Sequence, residues 1–213
     1  MFFQYIAIEG VIGVGKSSVV EKLAQRLDAA TVQEEWATNP FLKTFYDGSA
    51  GAAFQTELFF LLSRYRQQQE LQQRSLFKHV TLSDYVFEKS KLFAFLNLDD
   101  SELLIYEKLY ALLAEGVPRP DLVVYLQAPT DVLVKRLRER ARDPEHEGLL
   151  PEPDYIRELN EAYQHFFFHY SATPLLVVET SHVDLHASDD ALDDLIRQIR
   201  SMNRGTQYYV PRT

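Results

Sequence analysis

Gly10-Val11-Ile12-Gly13-Val14-Gly15-Lys16-Ser17 is the stretch on which the fold turns. The eight residues fit the pattern G-x-x-x-x-G-K-[ST], in which backbone N–H groups close around phosphate oxygens. Such a loop needs a strand before it and a helix after it. Phe3 to Ile8 is an apolar run rich in β-branched and aromatic residues, the pattern of a buried strand. From Ser17 to Leu27 the residues Val20, Leu23 and Leu27 recur at helical spacing. With that context in place, Gly10, Val11, Ile12, Gly13, Val14, Gly15, Lys16, Ser17 and Ser18 are the candidate nucleotide-binding residues. The helix N-terminus adds its positive end to the cradle. Lys16 is expected to reach the β- and γ-phosphates and the Ser17 hydroxyl to ligate Mg²⁺, so ATP and magnesium are the implied cofactors.

Outward from the loop the chain alternates short apolar runs with helical ones. Thr31 to Glu35, Val80 to Leu82, Asp121 to Leu126 and Leu175 to Val178 read as four further strands. Asn39-Pro40 marks a helix start, and Phe54 to Leu76 reads as a long amphipathic helix with Phe54, Leu58, Leu61, Leu62 and Tyr65 on its apolar side. Helices follow near Phe87–Leu96, Ser101–Leu113, Thr130 (with a Thr-Asp cap), Tyr155–Tyr170 and Leu192–Met202. Strands that are almost continuously apolar imply a parallel sheet covered on both faces. The expected fold is α/β and three-layered, a five-stranded parallel sheet flanked by helices. One domain over residues 1–203 is expected, with a mobile lid at about 136–153 and a loosely held tail over 204–213.

Of the 213 residues, 46% are hydrophobic and 25% charged, the ordinary mix of a soluble domain. The formal net charge of −9 argues against a nucleic-acid partner. No cysteine is present, which excludes disulfides and thiolate metal sites and fits a cytoplasmic location. The first residues lack a basic segment before the apolar run, so they read as a strand and not as a signal peptide. No apolar run approaches the roughly 20 residues of a bilayer span, so no membrane partner is expected.

Further candidate chemistry lies at other strand ends. Glu34 and Glu35 close the second strand and Asp84 the third, on the side where ligands collect in open parallel sheets. A carboxylate there can take a proton from a hydroxyl nucleophile or hold Mg²⁺. Between Arg119 and Arg142 six basic residues face three acidic ones. Arg136 and Arg140 are four apart on one helical face, and Arg142 follows, placing guanidinium groups where a transferring phosphoryl group could be stabilised. No N-K-x-D guanine-reading motif is present, which counts against a GTPase. The pairs His165/His169 and His182/His186 find no third ligand in the sequence.

In these features the chain resembles the deoxynucleoside kinase family across nearly its whole length. The resemblance rests on the loop opened by Ile8-Glu9-Gly10, on Glu34 followed by Asn39-Pro40-Phe41 and Phe45-Tyr46, on Phe54-Gln55-Thr56-Glu57 with Ser63-Arg64, on Asp84, and on the arginines at 136, 140 and 142. It implies that Glu34 is the general base for a 5′-hydroxyl, that Tyr46 and Glu145 hold the 3′-hydroxyl, and that Arg136, Arg140 and Arg142 clamp the donor phosphates. It also implies that Asp84 lies near the metal, that residues 181–184 lie against the donor's base, and that the protein is a homodimer. Two positions depart from the family pattern. A glutamine that reads the base in many members is here Glu57, and the arginine that follows the acidic residue is here Tyr85, with Lys89 the nearest replacement cation. Phe-Gln-x-Glu and Asp-Tyr together look like the bacterial deoxyguanosine kinase branch.

The chemistry of Glu57 favours the same branch. An ionised carboxylate only accepts hydrogen bonds, which suits the adjacent N1–H and N2–H₂ donors of guanine. Arg64, seven residues on, lies about 10 Å along the same helical face and is expected to donate to O6 and N7 of a purine held between the two. The expected reaction is ATP-dependent phosphorylation of a purine deoxynucleoside, deoxyguanosine first. Deoxyadenosine or deoxycytidine kinases of the same family are alternatives, as is a thymidylate-kinase-like enzyme. The last would need cations near strand two, where Gln33-Glu34-Glu35-Trp36 is acidic. A P-loop switch without transfer activity would need neither Glu34 nor the arginines.

Overall fold

The apolar run before the phosphate-binding loop becomes β1 (Tyr5–Glu9), with all five residues buried. Side chains alternate between faces along a strand, so full burial means that both faces are covered. A computed structural model describes residues 3–74, 80–141, 150–183, 185 and 187–211. Within them β3 (Thr81–Ser83) is buried throughout, and β4 (Leu122–Gln127) and β5 (Leu175–Glu179) are buried except at their last residue. With β2 (Ala30–Val32) and β6 (Thr206–Tyr209) they form one sheet in the order β2-β3-β1-β4-β5-β6, every neighbouring pair parallel. Ile6 of β1 stands opposite Leu82 on one side and Leu122 on the other.

Six strands correct the expected five, and β6 falls in the segment expected to be a loose tail. Its sequence, Thr-Gln-Tyr-Tyr, has no continuous apolar run because it is an edge strand, exposed at its first three residues. Two contacts hold it. Thr206 to Tyr209 pair with Leu175 to Val178, and Tyr209 packs on the core while its hydroxyl donates to Asp194.

Eight helices join the strands among the described residues: α1 (Lys16–Leu27), α2 (Leu42–Tyr46), α3 (Ala52–Arg74), α4 (Lys89–Asn97), α5 (Asp100–Ala114), α6 (Thr130–Arg140), α7 (Pro153–Phe168) and α8 (Asp189–Ser201). On the main core, α1 packs against α8 and α4 against α7. Arg26 of α1 reaches Asp189 at 2.9 Å and also Asp193, exposed pairs worth little beyond orientation. α5 starts with a capping box in which Asp99 accepts from Ser101 and Glu102. α6 does not use the expected Thr-Asp cap: its N-cap is Pro129, and the Thr130 hydroxyl instead accepts from Asn160 on α7 at 3.1 Å. α7 begins at Pro153, whose fixed φ suits a first helical position.

The long helix α3 is less simply amphipathic than its spacing predicts. Leu61 is buried with Phe87, Ala94 and Tyr106 in a second apolar cluster, against which Phe54, Leu58 and Tyr65 pack. Leu62, expected on that side, is half exposed. The neighbouring face buries Glu57, Arg64 and Gln68. A helix with buried charge is where a site should be sought. No helix among the described residues is long and apolar enough to cross a membrane.

Candidate active site

The loop between β1 and α1 depends on two glycines. Gly15 takes φ 99° as the N-cap of α1, and Gly13 takes φ 90°. A Cβ on Gly13 would stand 2.7 Å from Leu137 Cγ, so α6 packs directly on the loop. Lys16 Nζ donates to the carbonyls of Gly10 (2.6 Å) and Val11 (3.3 Å), which sets the ammonium at the loop. Burial lowers its pKa, and repulsion from Lys89 adds to this, while Glu9, Asp84 and Glu34 work the other way.

Asp84, one residue beyond β3, joins two parts of the site. Its Oδ2 accepts from the Ser17 hydroxyl at 2.8 Å, and its Oδ1 accepts from the Glu34 backbone N–H at 2.8 Å. Beyond β2, Glu34 is gripped from two helices. Oε1 accepts from Arg64 Nε and pairs with Nη2, each at 2.6 Å, and Oε2 accepts from Lys89 Nζ at 2.8 Å. Burial alone would raise the Glu34 carboxyl, but the Arg64 and Lys89 charges outweigh it and hold it far below the usual carboxylate range. Glu35 is exposed at the start of the 3-10 turn Trp36–Thr38.

Tyr85 does not face this site. It is fully buried in a cluster with Tyr5, Val32 and Leu71, and its hydroxyl donates to Gln67 Oε1 at 2.9 Å. The cation beside the acidic centre is Lys89, on the first turn of α4. Its Nζ also stands 5.5 Å from the centroid of Phe93.

A cavity of about 500 Å³ runs from Lys16 and Ser17 past Glu34 and Asp84 to Tyr46, Glu57, Phe60 and Tyr155. That volume suits a small organic ligand. Asn39 fixes the wall formed by α2: its Oδ1 accepts from Phe41 N–H at 3.0 Å and its amide donates to the Thr56 carbonyl at 3.2 Å. Phe45 and Tyr46 are thereby carried beside Tyr155. Tyr46 is a neutral phenol, its pKa raised by burial and then by Glu57 and Glu34. At the other end Arg136 donates to the Thr180 carbonyl at 2.6 Å and lies near Val14 O and Thr180 Oγ1, joining α6 to the segment after β5. Arg140 lies 5.6 Å from the Trp36 ring centroid and also lines the cavity.

The structure thus brings Lys16, Ser17, Glu34, Tyr46, Glu57, Arg64, Asp84, Arg136 and Arg140 around one cavity. Arg142 and Glu145 lie outside the described residues, as do residues 142–149 of the expected lid, Asp184 and His186. The purine expected between Glu57 and Arg64 would meet a guanidinium that already has protein partners. All three guanidinium nitrogens of Arg64 are engaged, two by Glu34 and Nη1 by the Ser90 hydroxyl at 2.8 Å. His165 and His169 sit 4.5 Å apart between ring centroids, with His169 Nδ1 bonded to the His165 carbonyl. Among the described residues no three His, Asp or Glu form a metal cluster. Asn97 and Tyr155 escaped the sequence reading. No motif announces them, and they reach Glu57 only through packing of α4 and α7.

Glu57 is the most unusual group in the cavity wall. Its Oε1 accepts from Asn97 Nδ2 at 2.8 Å, while its buried Oε2 has no partner. Burial raises its pKa to about 7, against the opposing influence of Arg64 and the Asn97 hydrogen bond. An unfolded glutamate holds its proton only up to about 4.5. Between those values the folded state binds more protons, so this residue makes stability fall as pH rises from about 4.5 to beyond 7. Glu57→Gln cannot titrate. Its Tm relative to the parent protein should therefore climb by several degrees between about pH 5 and pH 8, measured by thermal unfolding in matched buffers.

Comparison with known proteins agrees with this geometry. A family model described as deoxynucleoside kinase matches residues 6–203. A deoxyguanosine kinase of Bacillus subtilis (strain 168) is 34% identical over 161 residues, covering 75% of this chain and 76% of the relative. A deoxyadenosine/deoxycytidine kinase of the same organism is 26% identical over 217 residues, covering 95% and 94%. The solved deoxyadenosine kinase of M. mycoides with bound dATP superposes with a TM-score of 0.75 at 21% identity, covering 93% of this chain and 100% of that one. With its phosphate-binding loop, its paired acidic centre and a family match over nearly its whole length, the chain belongs to the deoxynucleoside kinase family.

Proposed function

We propose that the protein transfers the γ-phosphoryl group of ATP to the 5′-hydroxyl of a purine deoxynucleoside, with deoxyguanosine the preferred acceptor, in cytoplasmic nucleotide salvage. The observation that carries this reading is the single cavity that joins Lys16 and Ser17 to Glu34 and, farther in, to Glu57. A donor's phosphates suit the loop end and a nucleoside suits the α3 end. The relative with the highest identity cited above bears the same activity.

The residues divide the work by position. Loop N–H groups and Lys16 hold phosphate oxygens, and Arg136 and Arg140 lie across the cavity on α6, where positive charge can meet the charge spread over the transferring group. Glu34 accepts a hydrogen bond from the 5′-hydroxyl. Held ionised by two cations, it is a weak base, so its chief contribution is to orient the hydroxyl, and the proton passes late, once bond formation has acidified that oxygen. Asp84 and Ser17 offer hard oxygens of the kind Mg²⁺ takes, and a site completed by phosphate oxygens needs no cluster of three acidic residues. When bound, the metal would neutralise phosphate charge. Tyr46 is in place for the sugar, and Glu57 for the base edge.

A monophosphate acceptor fits poorly. It would need free cations at the acceptor end, and Arg64 and Lys89 there are both paired with Glu34. The protein acts, we propose, as a homodimer. Five of its nine exposed large apolar side chains among the described residues, Leu62, Phe95, Leu104, Ile105 and Leu112, lie on α3, α4 and α5, three helices that pack on one another. Apolar exposure of that density marks an interaction face.

Assay of the four deoxynucleosides with Mg-ATP tests the reading. Deoxyguanosine should give the highest kcat/KM, and failure to phosphorylate any nucleoside would refute it. Lys16→Ala should lower kcat by more than about tenfold, a loss above ~1.4 kcal/mol, without loss of fold. Glu34→Gln should lower kcat far more than it weakens nucleoside binding. That change leaves the buried Arg64 and Lys89 charges less compensated, so kcat is to be compared below the variant's own Tm. Sedimentation of Leu104→Glu/Leu112→Glu should show a monomer where the parent protein is a dimer.

A further inference from the structure

We propose that Glu57 reads the purine through its own protonation state, accepting from guanine as a carboxylate and pairing with adenine as a carboxylic acid, and that Asn97 positions it for both. This inference rests on the nucleoside-kinase reading of the cavity and deepens it.

The geometry begins with an asymmetric carboxyl. Glu57 lies in the wall of the cavity, 1% exposed, one oxygen bonded to Asn97 and the other shielded from water with no partner. A buried oxygen without a partner is a group built for a ligand or for a proton. The Asn97 amide donates also to the Tyr155 hydroxyl at 3.2 Å, so its nitrogen is held between the two side chains and presents N–H to Oε1. Oε1 is therefore held as an acceptor whatever happens at Oε2. A carboxylate oxygen accepts more than one hydrogen bond, so Oε1 keeps capacity for the base.

The remaining freedom is a single proton on Oε2. Without it both oxygens are acceptors, complementary to N1–H and N2–H₂ of guanine. With it, Oε2–H donates and Oε1 accepts, complementary to the ring nitrogen and amino group that adenine places side by side. A carboxylic acid kept neutral near pH 7 by an apolar site is an established way to obtain such a donor.

The charges around Glu57 are poised between the two states. On its own helix α3, Arg64 favours the carboxylate, and from α4 Lys89 does the same, while Glu34 from beyond β2 opposes it. Among the described residues Tyr46 on α2, Tyr106 on α5 and Tyr155 on α7 also face it, and burial keeps all three phenols neutral. Arg64 and Lys89 are already neutralised in part by Glu34. Among the described residues no cation pairs with Glu57, whereas two pair with Glu34. The same pocket thus holds one carboxyl firmly ionised and leaves the other near its midpoint at neutral pH.

The test is the ratio of kcat/KM for deoxyguanosine to that for deoxyadenosine, measured from about pH 5.5 to about pH 8.5. Ionisations common to both substrates, at Lys16, Glu34 or the donor phosphates, cancel in the ratio. In the parent protein the ratio should rise with pH by at least about tenfold over the range, deoxyguanosine losing activity on the acid side and deoxyadenosine on the basic side. Asn97→Ala removes a hydrogen bond that favours the carboxylate, so both limbs should move to higher pH, a displacement that a merely structural role would not produce. Glu57→Gln should flatten the ratio, at a value shifted toward deoxyadenosine, because the amide is donor and acceptor at every pH. A flat ratio in the parent protein, or one that still varies with pH in Glu57→Gln, overturns the proposal. If the parent ratio is flat but Glu57→Gln changes its value, the switch fails and base reading by Glu57 survives. If neither pH nor substitution alters the ratio, the base-reading assignment falls as well.

Discussion

The ionic grip on Glu34 is the constraint around which the site is organised. Three elements far apart in sequence meet there: the segment after β2, the middle of α3 through Arg64, and the first turn of α4 through Lys89. Removing charges from water is expensive, and a buried pair is tolerated only when its geometry is good and its remaining donors are satisfied. Those conditions are met. Arg64 is 2% exposed, both Glu34 oxygens are bonded, and the third guanidinium nitrogen finds Ser90. Breaking such a grip leaves an uncompensated buried charge, so α3 and α4 are held in register with the sheet edge by electrostatics as much as by packing. Asp84 extends the constraint to the phosphate-binding loop through the Ser17 hydroxyl and the Glu34 N–H.

The polar interior of α3 follows from that grip. Glu57, Arg64 and Gln68 recur along one face, and each meets a different demand: the inner end of the cavity, the acidic centre, and the sheet through the Tyr5 hydroxyl at 3.0 Å. Gln67 beside them donates to the Gln33 carbonyl at 2.9 Å and accepts from Tyr85. A helix that serves a site on one side and an apolar cluster on the other cannot show a clean amphipathic stripe, which is why Leu62 stands exposed where spacing alone would bury it.

Most of the architecture was legible because its signals are local. The loop glycines, the apolar strands β1, β4 and β5, and the helical spacing of α1 each report on neighbours only a few residues away. β6 was not, because an edge strand with three exposed residues has no apolar run to betray it, and its pairing with β5 is set by tertiary context. The site divides the same way. Lys16, Ser17, Glu34, Asp84 and Arg136 sit at loop, strand-end or helix positions whose chemistry can be read from the pattern. The partner of a buried charge cannot. Nothing in the spacing of Glu57 and Arg64 tells that the guanidinium turns to Glu34, 30 residues upstream, and that Glu57 turns to Asn97, 40 residues downstream.

Tyr85 and Lys89 show how the fold brings a cation to the acidic centre without one next to Asp84 in sequence. A cation next to Asp84 in sequence would share the strand end with it. Here that position carries a tyrosine, which turns inward, fills the cluster with Tyr5, Val32 and Leu71, and reaches back to α3 through its hydroxyl. Positive charge re-enters one turn later from α4, on a flexible stem whose ammonium is a point charge and not a planar fork. A point charge needs only proximity, and Lys89 has it at 2.8 Å from Glu34. An arginine fork can bond a carboxylate and a phosphoryl oxygen together, whereas a lysine bound to Glu34 and resting near Phe93 has its charge tied mainly to the carboxylate. On the function proposed above, stabilisation of the transferring group then rests on Lys16 and on the α6 arginines across the cavity, so kcat should fall steeply when Arg136 or Arg140 is replaced by alanine.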